Sequence, residues 1–308
     1  MNFEAFVLGS GGMMPLPHRY LTSVLLRREG DLFLFDCGEG TQVSLKKLNL
    51  KWKKISAIFI SHTHADHVTG LPGILMLSSQ VDRDEPLYIF GPPRIREYVE
   101  MSRQVLDMYI NYDIQVHEVS GAEEVLTRDD FAVSCFPLRH SKPCLGYSLT
   151  ERERPGVFFP DKAEKLGVPR GPMWSKLQSG ESVETPEGKI VPPGMVMGPN
   201  RRGRKFSYVT DTTSADTIVP NVAGSDLFIC EGMFTDDLEE SAREKKHLTA
   251  AQAAGYARDA EVGRLGLIHY SPRYTEYDLK QLLKESRKIF KRTFLTRDGQ
   301  KIEIPYLD

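Results

Sequence analysis

From Ile58 to His67 the chain reads Ile-Phe-Ile-Ser-His-Thr-His-Ala-Asp-His, an apolar run that leads directly into three histidines and a carboxylate within six residues. Burying that many ionisable groups beside an apolar strand is costly unless something compensates them, and a metal ion is the natural compensation. His62 and His64 are two apart, so in an extended segment both side chains point the same way. Asp66 and His67 follow as the chain turns, which lets them face a second ion close to the first. Imidazole and carboxylate together suit zinc, with manganese or iron as alternatives.

This run cannot fill two coordination spheres by itself. Three candidates each stand just past an apolar run: His140 after Phe131 to Leu138, Asp211 after Phe206 to Thr210, and His269 after Leu265 to Ile268. Strand ends gathered on one edge of stacked sheets would converge on a common cleft. The expected assignment is His62, His64 and His140 on one ion, Asp66, His67 and His269 on the other, and Asp211 bridging both. His140 or His269 taken singly would pass for an ordinary packed histidine, and His18 and His117 are read as structural or surface residues.

Two adjacent ions activate a shared water and stabilise charge at the attacked centre, which points to a hydrolase. Asp66 is placed to accept or orient that water's proton. A leaving alkoxide also needs a proton, for which His247 is the candidate and Glu231 its orienting partner. The alternative for His247 is a plain helix-capping role beside Thr249.

Short apolar or β-branched runs recur along the chain, among them Phe3 to Leu8, Leu32 to Phe35, Ile55 to Ile60, Leu87 to Phe90, Ile114 to Val119 and Leu227 to Cys230. They read as strands, many buried on both faces. Helices are expected at Gln42 to Leu48, Ile95 to Leu106, Thr249 to Asp259 and Tyr277 to Phe290. The mixture suggests an α/β fold with two sheets face to face and helices outside.

Residues 151–205 interrupt the pattern with eight prolines and a single clear turn signal, Pro186-Glu187-Gly188. An unpatterned insert of this length in a compact domain either counts against the domain assignment or marks a functional arm, the plain alternative being an ordinary surface loop. It carries eleven Lys or Arg against seven Asp or Glu, in a chain whose 40 basic and 42 acidic residues leave a formal charge of −2. Arg201, Arg202, Arg204 and Lys205 concentrate that basic charge at its end, so nucleic-acid contact is expected there and not over the whole surface. The four cysteines are widely spaced and fit neither a disulfide framework nor a thiolate metal site. With no leader-like amino terminus and no long apolar stretch, a soluble protein of the reducing cytoplasm, without membrane association, is expected.

The histidine run resembles that of the metallo-β-lactamase superfamily, and neighbouring segments resemble its ribonuclease Z family over nearly the whole length. Phe35-Asp36-Cys37-Gly38-Glu39-Gly40-Thr41-Gln42 is the most specific of these. Gly70-Leu71-Pro72-Gly73, Gly91-Pro92-Pro93, Leu138-Arg139-His140 through Gly146-Tyr147, and His269-Tyr270-Ser271-Pro272-Arg273-Tyr274 are similar to family positions as well. The resemblance implies a single domain with an αββα four-layer sandwich and an inserted protruding arm at 151–205. It also implies two zinc ions per subunit and removal of 3′ trailers from precursor tRNA by a homodimer whose arm grips the tRNA bound at the partner's site. Arg19 lies in a loop that resembles the family loop near the tRNA 3′ end. The chain departs from the family pattern at Arg19-Tyr20, at Cys230-Glu231-Gly232-Met233 and at His247-Leu248-Thr249.

Two other readings stand beside this one. A phosphodiesterase of the same superfamily acting on cyclic or small phosphate esters would have no evident use for the arm. A module that binds RNA without cutting it would not need seven ligands.

Overall fold

The computed structural model describes residues 2–80 and 83–306. Fourteen strands form two seven-stranded sheets. The first holds β1 (Phe3–Gly9), β2 (Ser23–Arg28), β3 (Asp31–Phe35), β4 (Ile55–Phe59), β5 (Leu87–Gly91) and β6 (Ile114–Glu118). The second opens with β7 (Glu123–Thr127), β8 (Phe131–Arg139) and β9 (Pro143–Glu151). A small hairpin of β10 (Val183–Glu184) and β11 (Ile190–Val191) stands apart. The second sheet then continues with β12 (Lys205–Val209), β13 (Leu227–Glu231), β14 (Leu265–Ile268) and β15 (Thr293–Leu295). The closing strand, β16 (Lys301–Glu303), pairs antiparallel with β1 in the first sheet.

Sheet order is β16-β1-β2-β3-β4-β5-β6 in one and β15-β14-β13-β12-β9-β8-β7 in the other. Parallel pairing runs from β3 through β6 and from β12 through β15. Side-chain alternation explains the continuous apolar runs. In β3, Phe33 and Phe35 enter a core formed with Tyr147, Phe206 and Tyr208 of the other sheet. Leu32 and Leu34 of the same strand face outward into a second core, with Leu45, Leu71, Ile74, Leu75, Ile95 and Val99 from helices Thr41–Lys47, Leu71–Ser79 and Ile95–Val105. The outer face of the second sheet packs likewise on helices Ala250–Asp259 and Leu279–Ile289. A strand buried on both faces has no polar side to alternate with. The result is four layers, helix, sheet, sheet, helix.

Two compact units are present. One comprises the residues up to Leu149 and those from Lys205 to Pro305. The other is Thr150–Arg204 together with Tyr306. The expectation of an unpatterned stretch at 151–205 is corrected by this second unit, which folds around Ala163, Val168, Leu177, Val183, Val191 and Val196. Helices Pro160–Lys165 and Pro172–Gln178 each start on a proline, which suits a first helical turn whose N–H groups have no intrahelical partner. The Pro186-Glu187-Gly188 turn does close the hairpin: Gly188, at φ 81°, donates its N–H to Thr185 O at 2.9 Å.

Candidate metal centre

The ligand candidates hang from the carboxyl ends of strands. Ser61 to His67 follow β4, His140 follows β8, Asp211 lies two residues past β12, and His269 immediately follows β14. Three residues that leave such ends, Asp36, Asp211 and His269, adopt left-handed backbone with φ of 54°, 43° and 62°. Side chains other than glycine pay for that conformation, and it persists where the surroundings over-determine it.

His62, His64, His140 and Asp211 bring one ligand atom each to within 4.8 Å of one another, and Asp66, His67 and His269 do the same. Asp211 joins the two groups. Its Oδ2 lies 3.6 Å from His62 Nε2 and 3.7 Å from His140 Nε2, while its Oδ1 lies 3.0 Å from His269 Nε2 and 3.2 Å from His67 Nε2. Asp66 Oδ2 accepts the Met13 N–H at 2.7 Å and stands 3.6 Å from His67 Nε2.

Proton accounting shows what these rings can hold. His67 Nδ1 meets the carboxylate of Asp36 at 2.8 Å, and His140 Nδ1 meets the Lys246 carbonyl at 3.0 Å; both must donate. Thr22 spends its hydroxyl proton on Gly11 O, so at 2.8 Å it accepts from His269 Nδ1. Ser61 spends its own on Asp36 Oδ2 and therefore accepts from His62 Nδ1 at 3.0 Å. Four rings thus carry their proton on Nδ1 and turn the Nε2 lone pair inward. His64 is reversed, with Nδ1 2.8 Å from His62 Nε2 and Nε2 3.3 Å from Ser141 Oγ. Such outer partners fix the tautomer a metal ligand needs.

The residues fit a pair of cations. Nε2 of His67 and of His269 are buried without a hydrogen-bond partner among the described residues, 3.2 and 3.0 Å from Asp211 Oδ1. Such atoms are costly unless a ligand satisfies them. Burial and the neighbouring imidazoles hold His62 well below the usual histidine range; burial also lowers His64 and His140, against the pull of Asp211. Burial opposes charge on His67 too, but Asp211, Asp36 and Asp66 outweigh it and push its pKa well up. Asp211 is held well below the carboxylate range, since His269, His67 and His62 overcome the cost of burying it. Three buried carboxylates here demand positive charge.

His247 stands at the rim. Its Nδ1 is 3.0 Å from Glu231 Oε2 and 4.0 Å from Asp211 Oδ2, and its ring packs on those of His140 and His269. Glu231 is fully buried and also accepts the Thr212 N–H. Burial works against charge on His247, and Glu231 more than offsets it, raising the pKa to about 9. The helix that follows is capped by Thr249, whose hydroxyl accepts from Gln252 N while Gln252 Oε1 accepts from Thr249 N. His247 is therefore not the cap.

The chain is 61% identical to "Ribonuclease Z" of Treponema denticola over all 308 residues, covering 100% of both chains. It belongs to the ribonuclease Z family. The family's "Ribonuclease Z" of Borrelia garinii is 42% identical, with 98% of this chain and 97% of the relative covered. Human tRNase Z, short form, superposes with a TM-score of 0.73 at 27% identity over 98% of this chain and 99% of that one. The metallo-β-lactamase fold protein YhfI of Bacillus subtilis, at 18% identity, shares the fold with a TM-score of 0.70 over 98% and 100% of the two chains. Two family models match: "Anti-Pycsar protein Apyc1" over residues 3–151 and "Beta-lactamase superfamily domain" over residues 176–270. The chain is accordingly a metal-dependent hydrolase of the metallo-β-lactamase superfamily that uses divalent metal.

The basic residues expected to touch substrate are placed unequally in this ribonuclease Z chain. Arg19 is buried, donating to Tyr274 O at 3.3 Å and to Glu276 at 2.7 Å, so it braces the loop after His269 and does not face solvent. Arg204 is corrected in the same way: it is buried and grips Glu151 with Nε at 2.9 Å and a terminal nitrogen at 2.8 Å. Lys205 opens β12 and donates from Nζ to Ala223 O, and Arg201 donates from Nε to Pro155 O. Arg202 is exposed. His18 and His117 are exposed and belong to neither of these ligand groups. Asp36, Ser61 and Thr22 were missed by sequence reasoning; only Asp36 carried a signal, as part of the family-specific segment. Gly12 was missed as well. A Cβ there would lie 2.6 Å from His269 Nε2.

Proposed function

We propose that this chain removes 3′ trailers from precursor tRNA by hydrolysing one phosphodiester bond at the centre described above, with zinc at both positions and manganese or iron as substitutes. The observation that carries the reading is the carboxylate of Asp211, each of whose oxygens faces a separate group of inward-turned imidazoles. His62, His64 and His140 would hold one cation and Asp66, His67 and His269 the other. When bound, the pair supplies Lewis acidity that lowers the pKa of water and stabilises charge growing on the phosphate.

The chain's own residues supply the rest. Asp66, fixed by the Met13 N–H, is placed to orient the attacking water and take up its proton. Water adds to phosphorus, the P–O3′ bond of the tRNA body breaks, and the departing oxygen takes a proton from His247 Nε2. Glu231 orients that imidazole through Nδ1. The ribonuclease Z relatives and the human tRNase Z fold neighbour support precursor tRNA as substrate. The basic balance of the Thr150–Arg204 unit, with Arg202 exposed, supports a role in gripping it, because RNA is recognised largely through shape and phosphates.

The reading includes a homodimer in which the Thr150–Arg204 unit of one copy serves the other's site, and a cytoplasmic location. Four buried free cysteines fit a reducing compartment. Among the described residues no helix is long and apolar enough to cross a membrane. The test is to incubate metal-analysed protein with a trailer-bearing tRNA precursor beside His64→Ala. The wild type should cut at the body–trailer junction, and the variant should hold less metal and cut nothing. Light scattering decides the dimer. Cutting by His64→Ala at the wild-type rate would sink the proposal.

A further inference from the structure

Two pockets adjoin the histidine cluster and have no lining residue in common. One, of about 590 Å³, is lined by His247 with Thr213, Ser214, Glu239 and Arg243 among others. The other, of about 280 Å³, is lined by Thr63, Arg94, Glu97, Tyr98, Met101 and Lys142. The second lies directly against the ligands. Thr63 sits between His62 and His64, Lys142 donates from Nζ to Thr63 O at 2.9 Å, and the neighbouring Ser141 touches His64 Nε2. The ring of His140 packs against His64 at 4.9 Å and against His247 at 5.2 Å, so it stands where the two openings divide.

We infer that the smaller pocket receives the first nucleotide of the trailer. The inference rests on the tRNA reading above and adds a direction to it. A tRNA body must be released with a free 3′-hydroxyl, because that is where it is extended or aminoacylated. Its O3′ is therefore the leaving atom, and the residue able to protonate it, His247, marks the pocket on the body's side. The other ester oxygen of the same phosphate, O5′ of the trailer, must leave the centre through a different opening.

The lining suits a single-stranded nucleotide of any sequence. Met101 is 51% exposed, an apolar, polarisable side chain left open to solvent beside Tyr98. Together they offer a base an apolar wall without reading its edges, and a flexible thioether adapts to purine or pyrimidine. Arg94 is paired with Glu97 at 2.9 Å, which leaves Lys142, among the described residues, as the pocket's uncompensated cation, placed for the next phosphate. The Tyr98 hydroxyl is spent on Val68 O, so the ring is held as a fixed surface.

The test uses the full-length, zinc-loaded protein and a precursor whose junction phosphate is an uncleavable methylenephosphonate, labelled for fluorescence polarisation. Binding of this RNA is compared with that of the same tRNA without a trailer, for wild type, Met101→Glu and Lys142→Glu. Both substitutions are at exposed side chains, and thermal melts check folding. The wild type should bind the trailer-bearing RNA about tenfold more tightly, and each variant should bring the ratio close to one. A second arm places 4-thiouridine at the first trailer position, where photocrosslinks should map to residues 95–105. A ratio that survives in both variants, or a crosslink to residues 239–252, overturns the inference. Cleavable precursor is run in parallel. If the wild type leaves it intact, the tRNA reading itself has failed, whereas normal cutting with unmoved ratios removes only the trailer pocket.

Discussion

Asp36 Oδ2 lies 2.8 Å from His67 Nδ1, and neither side chain has any exposure to solvent. The same carboxylate also accepts from Ser61 N, Ser61 Oγ and the Tyr208 hydroxyl. One buried acid at the end of β3 therefore orients a candidate ligand histidine, fixes the start of the histidine-rich turn after β4, and ties both to the facing sheet. Asp36→Asn keeps the volume but removes the charge that holds the His67 proton on Nδ1. Metal affinity should fall about 10- to 100-fold. Competition against a chromophoric chelator measures it, and an unchanged affinity would show that Asp36 merely packs.

Gly12 runs against the face of His269, with its N–H on Tyr270 O at 3.0 Å. A methyl group at this position would come within 2.6 Å of His269 Cε1 and Nε2, nearer than real Cβ atoms come. Gly12→Ala must shift the imidazole that would hold the proposed second cation. The expected result is loss of about one metal equivalent per chain by elemental analysis, with the first site retained. Two equivalents at full occupancy would mean that the loop before Arg19 moves instead.

His247 and Glu231 can be separated from the metal ligands by leaving group. An alkoxide needs a proton, while nitrophenolate leaves without one. His247→Ala should therefore slow tRNA cleavage by about 10²- to 10⁴-fold, the range for a lost general acid. Hydrolysis of bis(p-nitrophenyl) phosphate should change far less. Equal losses on both substrates would reassign His247 to holding metal, a possibility raised by its grouping with Asp211 and His269.

The clustering of the candidate ligands was legible because its chemistry admits few alternatives: seven carboxylate or imidazole side chains beside apolar strands cannot be buried cheaply without metal. The sandwich was legible where strands buried on both faces leave unbroken apolar runs, as at Leu32 to Phe35. Asp36 was hidden because a single carboxylate after a strand reads as a turn residue until His67 is seen beside it. Helix Leu71–Ser79 was obscured by Pro72 and Gly73, although proline is at home in a first helical turn. The unit at 150–204 was concealed by scale. Its core comes from short helices and a two-residue hairpin, too brief to show a period, so Arg204 looked like a surface cation although it is buried on Glu151.

That pair sets up a stability prediction. Glu151 and Arg204 are each about 3% exposed and form a two-pronged ion pair within their unit. Glu151→Ala would remove the buried carboxylate that this guanidinium grips with two nitrogens, a cost of roughly 3–5 kcal/mol. Limited proteolysis should then cut between residues 150 and 204 under conditions that leave the wild type whole. The double variant Glu151→Leu/Arg204→Met should recover most of the resistance, since apolar pairs of similar size replace buried ion pairs at little cost. Susceptibility equal in the single and double variants would refute this account of the pair.

Deleting residues 155–200 tests what the second unit does. Arg154 and Arg201 already exchange backbone hydrogen bonds, Arg154 N to Arg201 O at 2.7 Å and the reverse at 2.9 Å. The cut therefore falls just inside a natural closure and can be sealed with a short glycine link. The ligand residues and both seven-stranded sheets lie outside the deleted segment. Metal content and hydrolysis of bis(p-nitrophenyl) phosphate should persist, while kcat/KM for precursor tRNA should fall by at least about tenfold, mostly through KM. The salt dependence of tRNA binding should also flatten, because a protein that neutralises fewer phosphates releases fewer counterions on binding. If the deletion instead lowers both activities together with metal intact, the unit supports the cleft's structure and its basic charge has no part in holding RNA.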